Sequence, residues 1–187
     1  MPITVAGARR TVEAVNPRSD AETQVRAHTL DYLHTADSAA LDRTLPEHVT
    51  ASAVILNTEH THTLLVFHRK ANFWVQPGGH LDEADDTVQQ AALREAEEET
   101  GLRGLTVARD QPLDIERQLL GSGFTACRWH LDLAFLVLAN RHNPLTVNAE
   151  SKAVQWWPLD ELPEGLAPGL RDRLRHASTV VPTVFTQ

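Results

Sequence analysis

The chain has 187 residues, 42% of them hydrophobic and 22% charged, with a formal charge of −8. That length suits one domain with an appendage and a substantial core, while the acidic balance argues against a general nucleic-acid or anionic-membrane partner. Cys127 is the single cysteine, which excludes an internal disulfide framework, and neither a secretory signal nor a membrane-spanning stretch is evident, so a cytoplasmic protein is expected.

In chain order, roughly the first fifteen residues show no clear period and read as a loose arm or an edge strand. Asn16-Pro17-Arg18-Ser19 signals a turn or helix start. From Asp20 to about Ala36, Val25, Leu30 and Leu33 recur at helical spacing, with Ser19 or Asp20 as the N-cap. A second short helix fits Ser38–Leu45. After Pro46 the pattern changes. Thr50–Leu56 and Thr63–Arg69 are β-branched, apolar runs joined by a polar stretch, the signature of a hairpin with a longer loop. Phe73–Gly79 reads as a short strand stopped by Pro77, leading through Gly78 and Gly79 into a helix over about Asp86–Thr100, with Gly101 closing it. Leu113–Leu120, the turn Gly121-Ser122-Gly123 and Phe124–Ala139 form a second hairpin, Ala153–Leu159 another strand, Asp160–Leu162 the start of a helical turn, and Leu170–Ser178 a terminal helix. Strands, helix, strands, helix predict an α+β domain, a mixed sheet with helices on its faces.

The central helix is chemically conspicuous. Glu95, Glu98 and Glu99 stand at i, i+3 and i+4, so three carboxylates share one face. Glu95 and Glu99 repel, and both lie toward the helix end that the macrodipole makes negative; each conflict costs roughly 0.2–1 kcal/mol. Repeated local conflict in one place points to a functional site. A hard divalent cation would convert the repulsion into ligation. The alternative is a solvated acidic face.

Arg94, Glu95, Ala96, Glu98, Glu99, Gly101 and Leu102 resemble the second half of the Nudix hydrolase signature residue for residue. In its first half, five residues lead from Gly79 to Asp85 and eight rather than seven then lead to Arg94; counting back from Arg94 puts Asp86 and His80 in the acidic and glycine slots instead. We take Gly79 and Asp85 with one inserted residue, because Pro-Gly-Gly is the usual entry to this loop. The resemblance extends over roughly Pro46–Leu162. It implies a Nudix-like α/β/α sandwich over residues 46–187 and a helical N-terminal extension over residues 1–45.

It also implies Mg²⁺- or Mn²⁺-dependent hydrolysis of a pyrophosphate bond in a nucleoside diphosphate derivative, a small-molecule partner, with no membrane involved and a homodimer possible. By resemblance Glu95, Glu98 and Glu99 ligate the metal, with Glu98 also orienting or deprotonating the water, and Arg94 holds the glutamates by an ion pair. Asp85 either ligates an outer metal or caps the helix. Glu150 is either a general base supplied from a loop or a surface charge. Gly78 and Gly79 let backbone approach phosphate, and His80 in the same loop can face substrate. Oxygen ligands suit these hard cations, which also offset the mutual repulsion of carboxylates and phosphate.

The ten histidines carry less weight. His80 in the glycine loop and His130 in the motif His130-Leu131-Asp132 can both face substrate, and His68 ends a hairpin strand, but none forms the i, i+4 pair of a zinc-protease helix. Cys127 reads as a core residue, and the four tryptophans as packing groups that can also stack on a base. Rival functions are a ligand-sensing domain without catalysis, which would commonly lack some of these glutamates, and an isoprenoid diphosphate isomerase. The specificity elements are expected in the N-terminal segment and the loop Arg103–Pro112.

Overall fold

The computed structural model describes residues 2–121, 127–149 and 151–181. The strands are β1 (Glu47–Asn57), β2 (His62–His68), β3 (Phe73–Val75), β4 (Gly78–His80), β5 (Thr106–Val107), β6 (Asp114–Leu119), β7 (Trp129–Ala139) and β8 (Ser151–Pro158). The helices are α1 (Val5–Glu13), α2 (Asp20–Thr35), α3 (Val88–Thr100) and α4 (Leu170–Val180), with a short 3-10 turn at Asp37–Leu41.

Two long strands form the spine. β1 and β7 run parallel in register from Glu47↔Trp129 to Asn57↔Ala139. Their other neighbours are antiparallel and short, which makes the sheet mixed. Along its outer side, β1 pairs first with β4 over Thr50–Ser52 and then with β2 at Ile55 and Leu56. β7 divides its free side in the same way between β6 and β5. Neither long strand keeps one partner along its outer side, so the sheet is branched at both edges.

Strand alternation sorts the core into two layers. Val49, Ala51, Ala53 and Ile55 of β1, with Leu131, Leu133, Phe135 and Val137 of β7, join Ala92 and Ala96 of α3 in one buried cluster. Val54 and Leu56, with Ala134 and Leu136, face the opposite way and meet Leu170, Leu174 and Ala177 of α4. The α4 face changes character along its length. Toward the C-terminal ends of β1 and β7 it is aliphatic; toward the N-terminal ends it carries His48, Thr50, Ser52, His130 and Asp132.

The N-terminal segment is not a loose arm. α1 is a capped helix: Thr4 accepts a hydrogen bond from the Gly7 N–H, and Ala8 and Val12 are fully buried. Together with Val15, Leu33 and Ala40 they join the same cluster as α3. The expected helix over Ser38–Leu45 is the shorter 3-10 turn, and Phe73–Gly79 divides at Gln76-Pro77 into β3 and β4. Pro77 has no N–H for a ladder, yet its carbonyl accepts from Ala53 N–H at 2.9 Å, so the break stays attached to β1. Asp160–Leu162 makes a turn without helix, and the loop Arg103–Pro112 contains β5. Ser122 and Gly123 of the second expected turn lie outside the described residues. Among the described residues, no helix is long and apolar enough to cross a membrane.

Candidate active site

α3 starts at Val88, with the Thr87 hydroxyl accepting from Gln90 N–H as N-cap. The cap is therefore neither Asp85 nor Asp86. The helix ends where Gly101 takes a left-handed φ of 74°. Between β4 and this cap, Asp85 turns inward and is 2% exposed. Arg94 reaches back from the second turn of α3 and grips it with Nε to Oδ1 and NH2 to Oδ2, both at 3.0 Å. Asp82 N–H donates to the same carboxylate at 2.9 Å. The carboxylate is thus buried and occupied by protein donors, as an anchor for Arg94. The residue counted from Gly79, not the exposed Asp86, is the one that meets Arg94.

The rest of the guanidinium organises the acidic face. Its NH1 donates to Glu95 at 2.9 Å and to Glu98 at 3.2 Å, and its NH2 donates to the His80 carbonyl at 2.8 Å. The Asp85 hydrogen bonds raise the pKa of Arg94 against the opposing effect of burial, so the cation is permanent. Glu95 and Glu98 differ in exposure, 17% and 58% for the side chains. Glu99 is buried and accepts a hydrogen bond from Gly78 N–H at 3.1 Å. Glu97 points away, paired with Arg103.

The two glycines make this proximity possible. A Cβ on Gly79 would lie 2.7 Å from the Glu95 carboxylate, and one on Gly78 would lie 2.5 Å from Ser52 Cβ. Both distances are below van der Waals contact, so β4 approaches α3 and β1 as closely as it does only with bare Cα atoms.

A cleft of about 300 Å³ opens beside Glu99 and the glycines. Thr50, Ser52, His130 and Asp132 supply its polar wall, the β2–β3 segment His68–Phe73 contributes Lys70, and the end of β6 contributes Gln118–Gly121. The N-terminal helices and Arg103–Pro112, expected to carry specificity, do not line it. Asp132 is fixed by Ser52 Oγ at 2.8 Å and by the buried Arg173 of α4 at 3.0 Å. Arg173 also pairs with Asp114 and Glu116, so one guanidinium ties α4 to three strand carboxylates.

The structure therefore brings together Gly78, Gly79, His80, Asp85, Arg94, Glu95, Glu98 and Glu99. Glu150 lies outside the described residues. The tryptophans pack: Trp74 meets Trp157 edge-on at 5.3 Å, and Arg117 lies over Trp129 at 3.9 Å. The residues missed from sequence are Lys70, Asp132 and His48, and with His48 the grouping that brings it and Cys127 together with His80 and His130. A signal was present in the alternation of His48, Thr50 and Ser52 with Val49, Ala51 and Ala53, and in the spacing Cys127-x-x-His130.

A family profile described as NUDIX domain matches residues 46–177. An RNA pyrophosphohydrolase from Rhizobium meliloti is 29% identical over 113 residues, covering 51% of this chain and 64% of that protein. The chain therefore spans somewhat less than two thirds of that relative. Among solved structures, an Ap4A hydrolase from C. elegans in a binary complex superposes with a TM-score of 0.58 at 22% identity, over 70% of this chain and 95% of that one. A MutT NUDIX hydrolase from Burkholderia pseudomallei gives 0.51 at 25% identity, over 68% and 95%. The likeness to the Ap4A hydrolase structure, at 22% identity, establishes the fold alone.

Proposed function

The chain belongs to the Nudix hydrolase family, and from that premise we propose that it hydrolyses a pyrophosphate bond in a nucleoside diphosphate derivative with the help of Mg²⁺ or Mn²⁺. The observation that carries this reading is the convergence of Glu95, Glu98 and Glu99 beside a glycine-lined approach, held by one arginine. The donor set fits such a cation. It consists of hard carboxylate oxygens on one helix face, graded from buried Glu99 to exposed Glu98, with the Gly79 Cα bare against Glu95.

In this reading Glu95, Glu98 and Glu99 would hold the metal, which when bound polarises the phosphoryl oxygen, activates water and neutralises the leaving group. Asp85 is left out of the ligand set, since its oxygens are engaged by Arg94 and by Asp82 N–H. Arg94 positions the carboxylates. Glu98, the most exposed of the three, is assigned to orient the attacking water and receive its proton. Gly78, Gly79 and His80 form the strand beside which the diphosphate lies, and Lys70 adds positive charge to the cleft wall. Glu150 is retained as a second base for test. Residues 1–45 are read as an extension that braces α3 rather than as a substrate-reading lid.

The test is turnover of a panel of dinucleotides, nucleotide sugars and nucleoside triphosphates with Mg²⁺ or Mn²⁺. We expect release of a mononucleotide or pyrophosphate by the wild type and its loss in Glu98→Gln. Binding without turnover throughout the panel would replace this reading with a ligand-sensing domain.

A further inference from the structure

On the α4 face of the sheet, where β1 and β7 begin, three imidazoles and the one thiol of the chain converge. His48 and His130 are direct partners in the parallel ladder, and His80 of β4 is paired with Thr50, two positions along β1 on the same face. The rings form a nearly equilateral triangle, with centroids 5.0, 5.1 and 5.2 Å apart. Cys127, in the segment that enters β7, closes the group: its Sγ lies 3.0 Å from His130 Nε2 and 3.4 Å from His48 Nε2. One ligand atom from each of the four residues can be chosen so that all lie within 4.8 Å of one another.

We propose that His48, His80, Cys127 and His130 form a second metal site, distinct from the acidic face of α3, that binds a borderline-soft divalent cation, zinc foremost, in a closed tetrahedral arrangement. Three nitrogens and a sulfur match that class of ion, whereas Mg²⁺ and Mn²⁺ favour oxygen. Zinc bonds of about 2.0–2.1 Å to nitrogen and 2.3 Å to sulfur require ligand separations of about 3.3–3.6 Å, so side-chain adjustment alone draws these atoms onto one ion.

Two details are those of a ligand set rather than of a packed cluster. His48 Nδ1 lies 2.9 Å from the Leu45 carbonyl. A carbonyl only accepts, so Nδ1 carries the proton and Nε2 presents a lone pair toward the thiol, the outer-shell arrangement typical of metal-bound histidine. His80 Nε2 is buried with no hydrogen-bond partner, an orphan that a cation would satisfy. Burial followed by the imidazoles of His80 and His48 pushes His130 down to about 3, and burial followed by His48, Arg43 and Arg94 pushes His80 down to about 4, so both rings are neutral near pH 7. Burial also raises the Cys127 thiol, the wrong direction for a free nucleophile. On ligation that thiol gives its proton to solvent. With four protein ligands the ion has no open position, and its role is to fix β4, which carries Gly79 immediately before His80, against β1 and β7.

The experiment is titration of the full chain, stripped of metal by chelation, with Co²⁺. One equivalent should develop the strong visible bands of tetrahedral cobalt and a near-ultraviolet thiolate-to-cobalt charge-transfer band; Zn²⁺ should bleach both and excess Mg²⁺ neither. Cys127→Ser should abolish the charge-transfer band and weaken zinc binding by more than the roughly 10–100-fold that loss of an outer-shell partner costs, while Glu98→Gln should leave the spectrum intact. Zinc protection of Cys127 from alkylation in the wild type provides a readout independent of any variant's folding. Weak octahedral cobalt absorption, a spectrum unchanged in Cys127→Ser, or alkylation unaffected by zinc would overturn the site. Loss of the spectrum in Glu98→Gln alone would assign the cobalt to α3, with the same result. Because hydrolysis is not the readout, failure of the pyrophosphatase reading leaves this test intact.

Discussion

Arg94 and Asp85 stand nine positions apart and meet through two parallel hydrogen bonds of 3.0 Å, closing the loop between β4 and α3 onto the second turn of the helix. The fork has a geometric consequence that a point charge would not. With Nε and NH2 committed to Asp85, NH1 is left aimed at Glu95 and Glu98. The pair therefore sets the positions of two carboxylates that do not touch Asp85. Asp85→Ala should cost about 3 kcal/mol, the low end for breaking a buried pair because Arg94 keeps its other partners, read as a lower urea midpoint at unchanged slope. Arg94→Lys, which retains charge but not the fork, should keep most stability and lose activity. Equal activity in Arg94→Lys and wild type would remove the positioning role.

The adjacent glycines separate stability from function. A methyl on Gly78 meets Ser52 Cβ and the Ala51 carbonyl at 2.5 and 2.7 Å, groups that move only with β1. Gly78→Ala should therefore destabilise the fold by about 1–3 kcal/mol, as overpacking does. At Gly79 the obstacle is the end of the Glu95 side chain, which can swing away. Gly79→Ala should be folded nearly as stably, and yet need more Mg²⁺ for half-maximal turnover. Thermal unfolding and metal-dependence curves of the two variants check this, and equal effects on both quantities would sink it.

Within α3, one glutamate serves as an internal control. Glu97 is paired with the exposed Arg103 on another face, and exposed pairs contribute about 0–1 kcal/mol. Glu97→Gln should leave turnover and stability nearly unchanged, while Glu98→Gln should lower kcat by roughly 10²–10⁴, the range for loss of a positioned base. If Glu97→Gln loses activity to the same degree, the effect comes from total helix charge and not from the shared face.

Legibility tracked the range of the interactions. α3 was readable because its charge spacing and terminal glycine are local, and β1 and β2 because each is a compact run of β-branched and apolar residues. α1 was hidden by Gly7 and a run of polar residues that left only Ala8 and Val12 to mark its buried side. β4 was hidden because Gly78 and Gly79 have poor strand propensity, and pairing with β1 supplies what propensity does not. The histidine–cysteine group was least legible. His48 meets His130 through a parallel ladder, and parallel register is a tertiary property with no turn in the sequence to announce it. Arg94 joined to Asp85 resolved the opposite kind of ambiguity: two countings of the loop were possible, and the buried fork selects one.

Arg173 poses the last test, of how the second helix layer supports the cleft. Its side chain is 4% exposed and lies within 3.1 Å of carboxylates from Asp114, Glu116 and Asp132. Asp132 in turn accepts from Ser52 at 2.8 Å and lines the cleft. Removing the cation leaves Asp132 without a cationic partner and Asp114 with only Arg18 at 3.3 Å, two buried carboxylates side by side, so Arg173→Leu should cost about 3–5 kcal/mol. Adding Asp114→Asn to that variant removes one of the two like charges and should recover part of the loss. The recovery would appear as a coupling of about 0.5–3 kcal/mol in a double-mutant cycle measured by denaturant unfolding. Strict additivity would mean that α4 is held by its aliphatic contacts with Val54 and Leu136, and that the ion network contributes little to the cleft wall.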